Sequence, residues 1–162
     1  MKKCFPLLLM ALVTSLHAQQ IPQQLWGAWT VTQILPANTI SCWGDKEAKA
    51  IIGTRIEYSA NLFRWKTAEV KNPKATVKTY TAEQFHNEYS GGGANDSQVS
   101  FDQLGIHAHE VREVSIEHPD ADITGGTTEI PGDKVLLKSN ARIVFSVCNV
   151  YFEARRIPES QH

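Results

Sequence analysis

The sequence predicts an all-β domain: an antiparallel up-and-down barrel of about eight short strands carrying one or two short helices. Three observations predict it. The dominant hydrophobic period along the chain is two and not 3.6. The periodic segments lie close together, which favours hairpins, since a parallel crossover takes about a dozen residues or more. Many short antiparallel strands also leave sheet edges, and closing the sheet on itself removes them completely. A β-sandwich is the alternative, because the same strands fit two packed sheets. The chain has 162 residues, 42% hydrophobic and 20% charged, with a formal net charge of -1. That profile suits one ordinary globular domain. No Lys/Arg run supplies the field that phosphate-backbone binding needs, so nucleic acid is not an expected partner.

Taken in order, the chain opens on Lys2 and Lys3, then an apolar run from Cys4 to Leu16, then Ala18 before Gln19. This reads as the charged, apolar and cleavage regions of a signal peptide over residues 1–18. The run is only about 13 residues and contains Pro6, too short for the roughly 20 that cross a bilayer. The expectation is a secreted or periplasmic product without stable membrane insertion, with one domain over residues 19–162.

In the first strand Leu25, Gly27, Trp29 and Val31 share a face, with Thr30 and Thr32 opposite. Asp45 to Ile51 can form one or two helical turns. Ile56 and Tyr58 alternate with Arg55, Glu57 and Ser59, and Phe63 and Trp65 with Arg64 and Lys66. Ala75, Val77 and Thr79 alternate with Thr76, Lys78 and Tyr80. Thr81 and Gln84 form a capping box that opens a short helix through Tyr89. Further strands follow at Val111 to Glu117, Lys134 to Lys138, Ile143 to Val147 and Val150 to Arg156. Turns fall at Ser59–Asn61, Lys71–Pro73 and Ser139–Ala141, where Asn tolerates left-handed backbone and Pro cannot donate to a ladder. In the last hairpin the apolar phase switches from odd (Ile143, Phe145, Val147) to even (Val150, Phe152, Ala154), which demands a tight turn or bulge at Cys148–Asn149. Both short helices read as decorations on the β domain.

Cys42 and Cys148 survive signal removal, 106 positions apart. An oxidising compartment favours pairing them. In the chain-entropy model a loop of that length contributes about 4 to 5 kcal/mol.

The segment Leu25–Val31, with Gly27 and Trp29 forming a Gly-x-Trp signature, resembles the first strand of lipocalin and lipocalin-like (calycin) barrels. Phe152–Arg156 resembles their closing strand. The resemblance implies that Trp29 packs at one end of the barrel beneath Arg156, the Arg in phase with Phe152, through a cation-π contact, with Arg155 as the fallback. It also implies a carrier of a small apolar molecule. The chain departs from that family in having its helix mid-chain and none after the last strand.

For chemistry, His107 and His109 share a side in an extended segment, a spacing that could hold zinc with His118 or a carboxylate completing the shell. Solvated or hydrogen-bonded histidines are the preferred reading, and no metal or other cofactor is expected. There is no Gly-x-Ser-x-Gly elbow and no HExxH. Asp120 with Asp122, and Glu110 with Glu113, read as acids that solvate a face. Ser90–Gly93 reads as a linker or binding-loop tip. No catalytic constellation emerges, and of two competing binding roles the carrier is the preferred reading. In the first, a barrel mouth lined by Tyr58, Phe63, Trp65 and Phe145 holds a small apolar ligand, unless these four simply fill the core. In the second, the barrel is solid and its loops block or shield another exported protein, as a periplasmic inhibitor or protective partner of an exported hydrolase. Periplasmic lysozyme inhibitors are similar in size, export and disulfide, and they use a Ser-Gly loop such as Ser90–Gly91, although the Tyr that follows it there is missing here.

Overall fold

The computed structural model describes residues 19–37, 39–89, 99–118 and 129–158. The segment 1–18, Ser90–Gly93, Asp120 and Asp122 lie outside the described residues. A 3-10 turn at Gln23–Leu25 leads into β1 (Gly27–Ile34), α1 (Asp45–Lys49), β2 (Arg55–Ser59), β3 (Leu62–Trp65), β4 (Ala68–Lys71), β5 (Lys74–Thr81) and α2 (Ala82–Tyr89). Then follow β6 (Glu110–Glu117), β7 (Lys134–Leu137), β8 (Arg142–Val147) and β9 (Val150–Arg156). All nine strands belong to one antiparallel sheet in the order β4-β3-β2-β1-β9-β8-β7-β6-β5, curled into a half-barrel.

Two expectations are corrected here. The two-sheet sandwich is overturned, since all the strands share one ladder. Among the described residues the closed eight-stranded ring is replaced by nine strands whose ladder stays open between β4 and β5. The ninth strand arises because β3 turns tightly at Lys66, whose φ is 51°, and pairs back through Trp65↔Ala68. Lysine is not a turn residue by habit, so this hairpin carries no sequence signal. β4 and β5 are separated only by Asn72, with φ 48°, and Pro73, which cannot donate to a ladder. Lys71, Lys74 and Lys78 are exposed along the two edges, a charge pattern that discourages further strand pairing. Gln19 forms a single bridge to β5, exchanging hydrogen bonds of 2.9 and 2.7 Å with Ala75.

Alternation directs Trp29, Ile56, Phe63, Phe145 and Phe152 to the concave side, where all five are fully buried. At one end Trp29 donates its indole N–H to the Leu25 carbonyl at 2.9 Å. The Arg156 guanidinium lies 4.2 Å over its ring. Arg156 is itself held by the carbonyls of Asn140 at 2.8 Å, Gln24 at 2.5 Å and Trp26. Gly27 has φ +116°, and a Cβ there would stand 3.0 Å from the guanidinium. The glycine of the Gly-x-Trp signature is thus the gap through which the arginine reaches the indole. The β8–β9 hairpin closes through Cys148 and Asn149 with φ 53° and 61°, both left-handed as a two-residue type I′ connection requires. That turn carries the phase switch read in the sequence.

The convex side is divided. Over β2–β4 it bears ion pairs such as Arg55–Glu57 and Arg64–Glu69, each 2.7 Å, which being exposed contribute little. Over β5–β9 it is clad by a second hydrophobic core, in which Phe85 of α2 and Phe101, Leu104 and Ile106 pack on Val111, Leu136 and Val144. The capping box opens α2 reciprocally, Gln84 N–H to Thr81 Oγ1 at 3.2 Å and Thr81 N–H to Gln84 Oε1 at 3.0 Å. Ser100 and Gln103 repeat the device at 2.9 and 3.3 Å. Far from being a decoration, α2 is half of a core layer. Lys138 fastens the other half, donating to Glu153 at 2.7 Å and to the Leu104 carbonyl at 3.0 Å.

Trp29→Ala is expected to cost about 3 to 5 kcal/mol through the cavity it leaves. Gly27→Ala should cost more than about 1 kcal/mol through backbone strain and displacement of Arg156. Urea denaturation midpoints of the two variants check both values, and an unchanged midpoint for Trp29→Ala would mean that the indole does not hold this end shut.

Candidate functional site

The four aromatic residues read as a ligand mouth have distinct partners. Tyr58 and Phe63 are stacked with centroids 5.4 Å apart inside the concave core. The Tyr58 hydroxyl donates to the Gly132 carbonyl at 2.8 Å, across the interior. Gly132 has φ +92°, and a Cβ there would meet that hydroxyl at 2.5 Å. Phe145 stacks on Phe152, also at 5.4 Å. Trp65 is half-buried, donates to Thr54 Oγ1 at 3.1 Å and carries the Lys66 ammonium 4.5 Å from its ring centroid. All four belong to the one concave core, with Tyr58, Phe63 and Phe145 buried within it and Trp65 packed against it.

Two surface depressions adjoin the half-barrel. One, of about 450 Å³, lies against Ala28, Glu57, Ser59, Leu62, Ile157 and Pro158. The other, of about 400 Å³, lies at the break between β4 and β5, against Val70, Lys71, Lys74, Glu117 and His118. Both mix charge with small apolar patches.

The opposite end from Trp29 is a braced rim. Cys42 and Cys148 form a disulfide, Cα to Cα 5.3 Å, that pins the loop after β1 to the β8–β9 turn. Around it Ser41 Oγ donates to the Cys148 carbonyl at 2.9 Å, Thr39 Oγ1 to the Asn149 carbonyl at 2.6 Å, and Asn149 Nδ2 to the Ile40 carbonyl at 3.1 Å. Glu129 accepts the Cys148 amide at 2.6 Å. Within this braced loop Ile40 is 70% exposed.

The histidines do not converge. His107 and His109 are exposed in the turn before β6, whereas His118 Nε2 lies 3.0 Å from Asp133 Oδ2, which also accepts the Ile130 amide at 3.0 Å. Among the described residues no three His, Cys, Asp or Glu side chains gather into a metal-sized cluster.

One acid requires correction. Glu110 is exposed at the start of β6, but Glu113 is only 3% exposed and lies under α2. It accepts a hydrogen bond from the Tyr89 hydroxyl and one of 3.3 Å from Ser115 Oγ. In the β5–β6 register Glu113 stands opposite Lys78, and a carboxylate there is solvated unless another layer covers that face of the sheet. Burial, then the bond to Glu113 and its charge, pushes the Tyr89 phenol well above its ordinary value. Burial, with Glu113 and Glu129 nearby, raises Tyr151 to about 12. The cover by α2 thus creates a buried carboxylate among phenols that stay protonated.

No protein-family model matches the chain, and neither a curated protein nor a solved structure is found similar to it. Among the described residues no helix is long and apolar enough to cross a membrane.

Two outcomes follow from this geometry. A phenol whose folded pKa is raised contributes stability that is complete below its unfolded value near 10 and is lost as pH climbs toward the folded value. The denaturation midpoint should therefore fall between about pH 10 and 12, and Tyr89→Phe should flatten that fall. Replacing Cys42 and Cys148 by Ser should cost about 2 to 5 kcal/mol, while intact-mass analysis of the alkylated native protein should show neither thiol modified.

Proposed function

We propose that the protein is an exported binding protein that engages another exported protein, an exported hydrolase being the class the sequence suggests, through the disulfide-braced rim around Ile40. The observation that carries this reading is the occupancy of the concave face by the protein's own rings. Trp29, Phe63, Phe145 and Phe152 are each no more than 2% exposed, and Tyr58 spans the interior to Gly132. Side chains that fill a small barrel leave its exterior as the surface for recognition. The rim supports the reading from the other side. Binding is stronger when the contacting loop is ordered beforehand, because the entropy of ordering is already spent. Here a disulfide and hydrogen bonds from Ser41, Thr39 and Asn149 order it.

The test is a photo-crosslinking residue placed at position 40 in the protein expressed in its own host. A discrete adduct with one exported protein is expected, together with its loss when Cys42 and Cys148 are both replaced by Ser. Organic extraction of the purified protein should yield no stoichiometric apolar molecule. Recovery of such a molecule, with no adduct at position 40, would instead support the carrier role and return Tyr58, Phe63, Trp65 and Phe145 as its site.

A further inference from the structure

Beneath α2, on the convex side of β6–β9, a small cavity of about 10 Å³ is lined by Phe85, Tyr89, Glu113, Lys134, Ser146 and Tyr151 among others. That is room for one group the size of a water molecule. Its acid, Glu113, is almost completely buried, yet the partners it has among the described residues are two neutral hydroxyls, those of Tyr89 and Ser115. Buried carboxylates are ordinarily matched by a cation, because burying an unpaired charge is costly. Two lysines lie nearby and neither matches it. Lys78 stands directly opposite Glu113 in the β5–β6 register, but its ammonium approaches Glu88 on the helix surface, 4.0 Å away. Lys134 neighbours it on β7 and is exposed, and among the described residues no Lys or Arg forms an ion pair with Glu113.

We propose that this pocket is a binding site for a single ammonium group, carried by a small primary amine or by a lysine side chain, with the Glu113 carboxylate as its counter-ion. The size, the charge and the walls agree. An ammonium group is about as large as a water and has three protons to place. The carboxylate and the oxygens of Tyr89, Ser146 and Tyr151 can accept them. The pocket is open on one side, so the carbon that carries the nitrogen would lie at its mouth, beside the rings of Phe85 and the tyrosines. A divalent metal is disfavoured, since it would call for six or more oxygen ligands or several carboxylates. The pocket lies on the clad convex side and involves none of the rim residues, so the proposal is independent of the role assigned to Ile40.

The experiment is a titration of the folded protein with methylammonium chloride at constant ionic strength, followed by the ¹³C signal of the Glu113 side-chain carboxyl. Saturable movement of that signal is expected, with no comparable movement from potassium or from tetramethylammonium, which lacks N–H donors and is too large. Glu113→Gln should weaken the amine-dependent rise in melting temperature about tenfold or more in ligand concentration. If that variant does not fold, the wild-type comparison of the three cations still decides. An N-acetyl-lysine amide that binds more tightly than methylammonium would identify a lysine side chain as the source, and the reverse order a free amine. Failure of methylammonium to move the Glu113 signal, an equal response to potassium, or a Lys134→Met variant that alone shifts the signal as far as saturation would each overturn the proposal, the last by showing that Lys134 already neutralises the acid.

Discussion

The stack of Arg156 on Trp29 joins the first and last strands of the described chain, and the concave core depends on it. β1 and β9 are the first and last of the described strands, yet they are hydrogen-bonded neighbours at the middle of the sheet, in register at Trp29↔Arg156. A cation over an indole contributes about 0.5 to 2 kcal/mol. The larger consequence is geometric. Three carbonyls, from Gln24, Trp26 and Asn140, converge on one planar guanidinium and so bind the entry turn, the first strand and the β7–β8 connection to a single point. A lysine could not replace it, because one ammonium on a flexible stem has neither the planar fork nor the stacking face.

Curling a sheet around that point leaves a convex surface to be dealt with, and the two halves deal with it differently. Over β2–β4 the exposed side chains are charged and paired with one another. Over β5–β9 a helix and an irregular segment cover the sheet, which buries two carboxylates that a one-sided sheet would have left in water. Glu153, 1% exposed, is matched by Lys138, whose approach also requires Gly105, with φ +63°, where a Cβ would lie 2.7 Å from the ammonium. Among the described residues Glu113 is met by hydroxyls alone. The contrast between a carboxylate used as a structural clamp and one surrounded by neutral donors gives the molecule a chemically distinct place on an otherwise conventional β surface.

Much of this was legible along the chain. The period-two segments locate β1, β2, β3 and β5 to β9 because alternation is a local property of a half-buried strand. Thr81 and Gln84 announced α2 because a capping box is completed within four residues. The phase change at Cys148–Asn149 demanded a tight connection whatever surrounded it. β4 was not legible, since a lysine in a left-handed turn and a short run with two exposed charged residues leave no such local mark. The status of Glu113 was not legible either. Its place on the polar phase of β6 is the same whether water or α2 lies above it.

By itself, then, the sequence determined the all-β class, the alternating faces, the helix cap and the two cysteines available for pairing, all of which depend on residues a few positions apart or on residue type alone. The tertiary structure decided that the strands form one open, curled sheet, that its interior is taken up by its own aromatic rings, and that a second layer turns an apparently solvated acid into a buried one. These outcomes depend on which surfaces meet across tens of residues, and the environment of a side chain is set by the layer that covers it as much as by the strand that carries it.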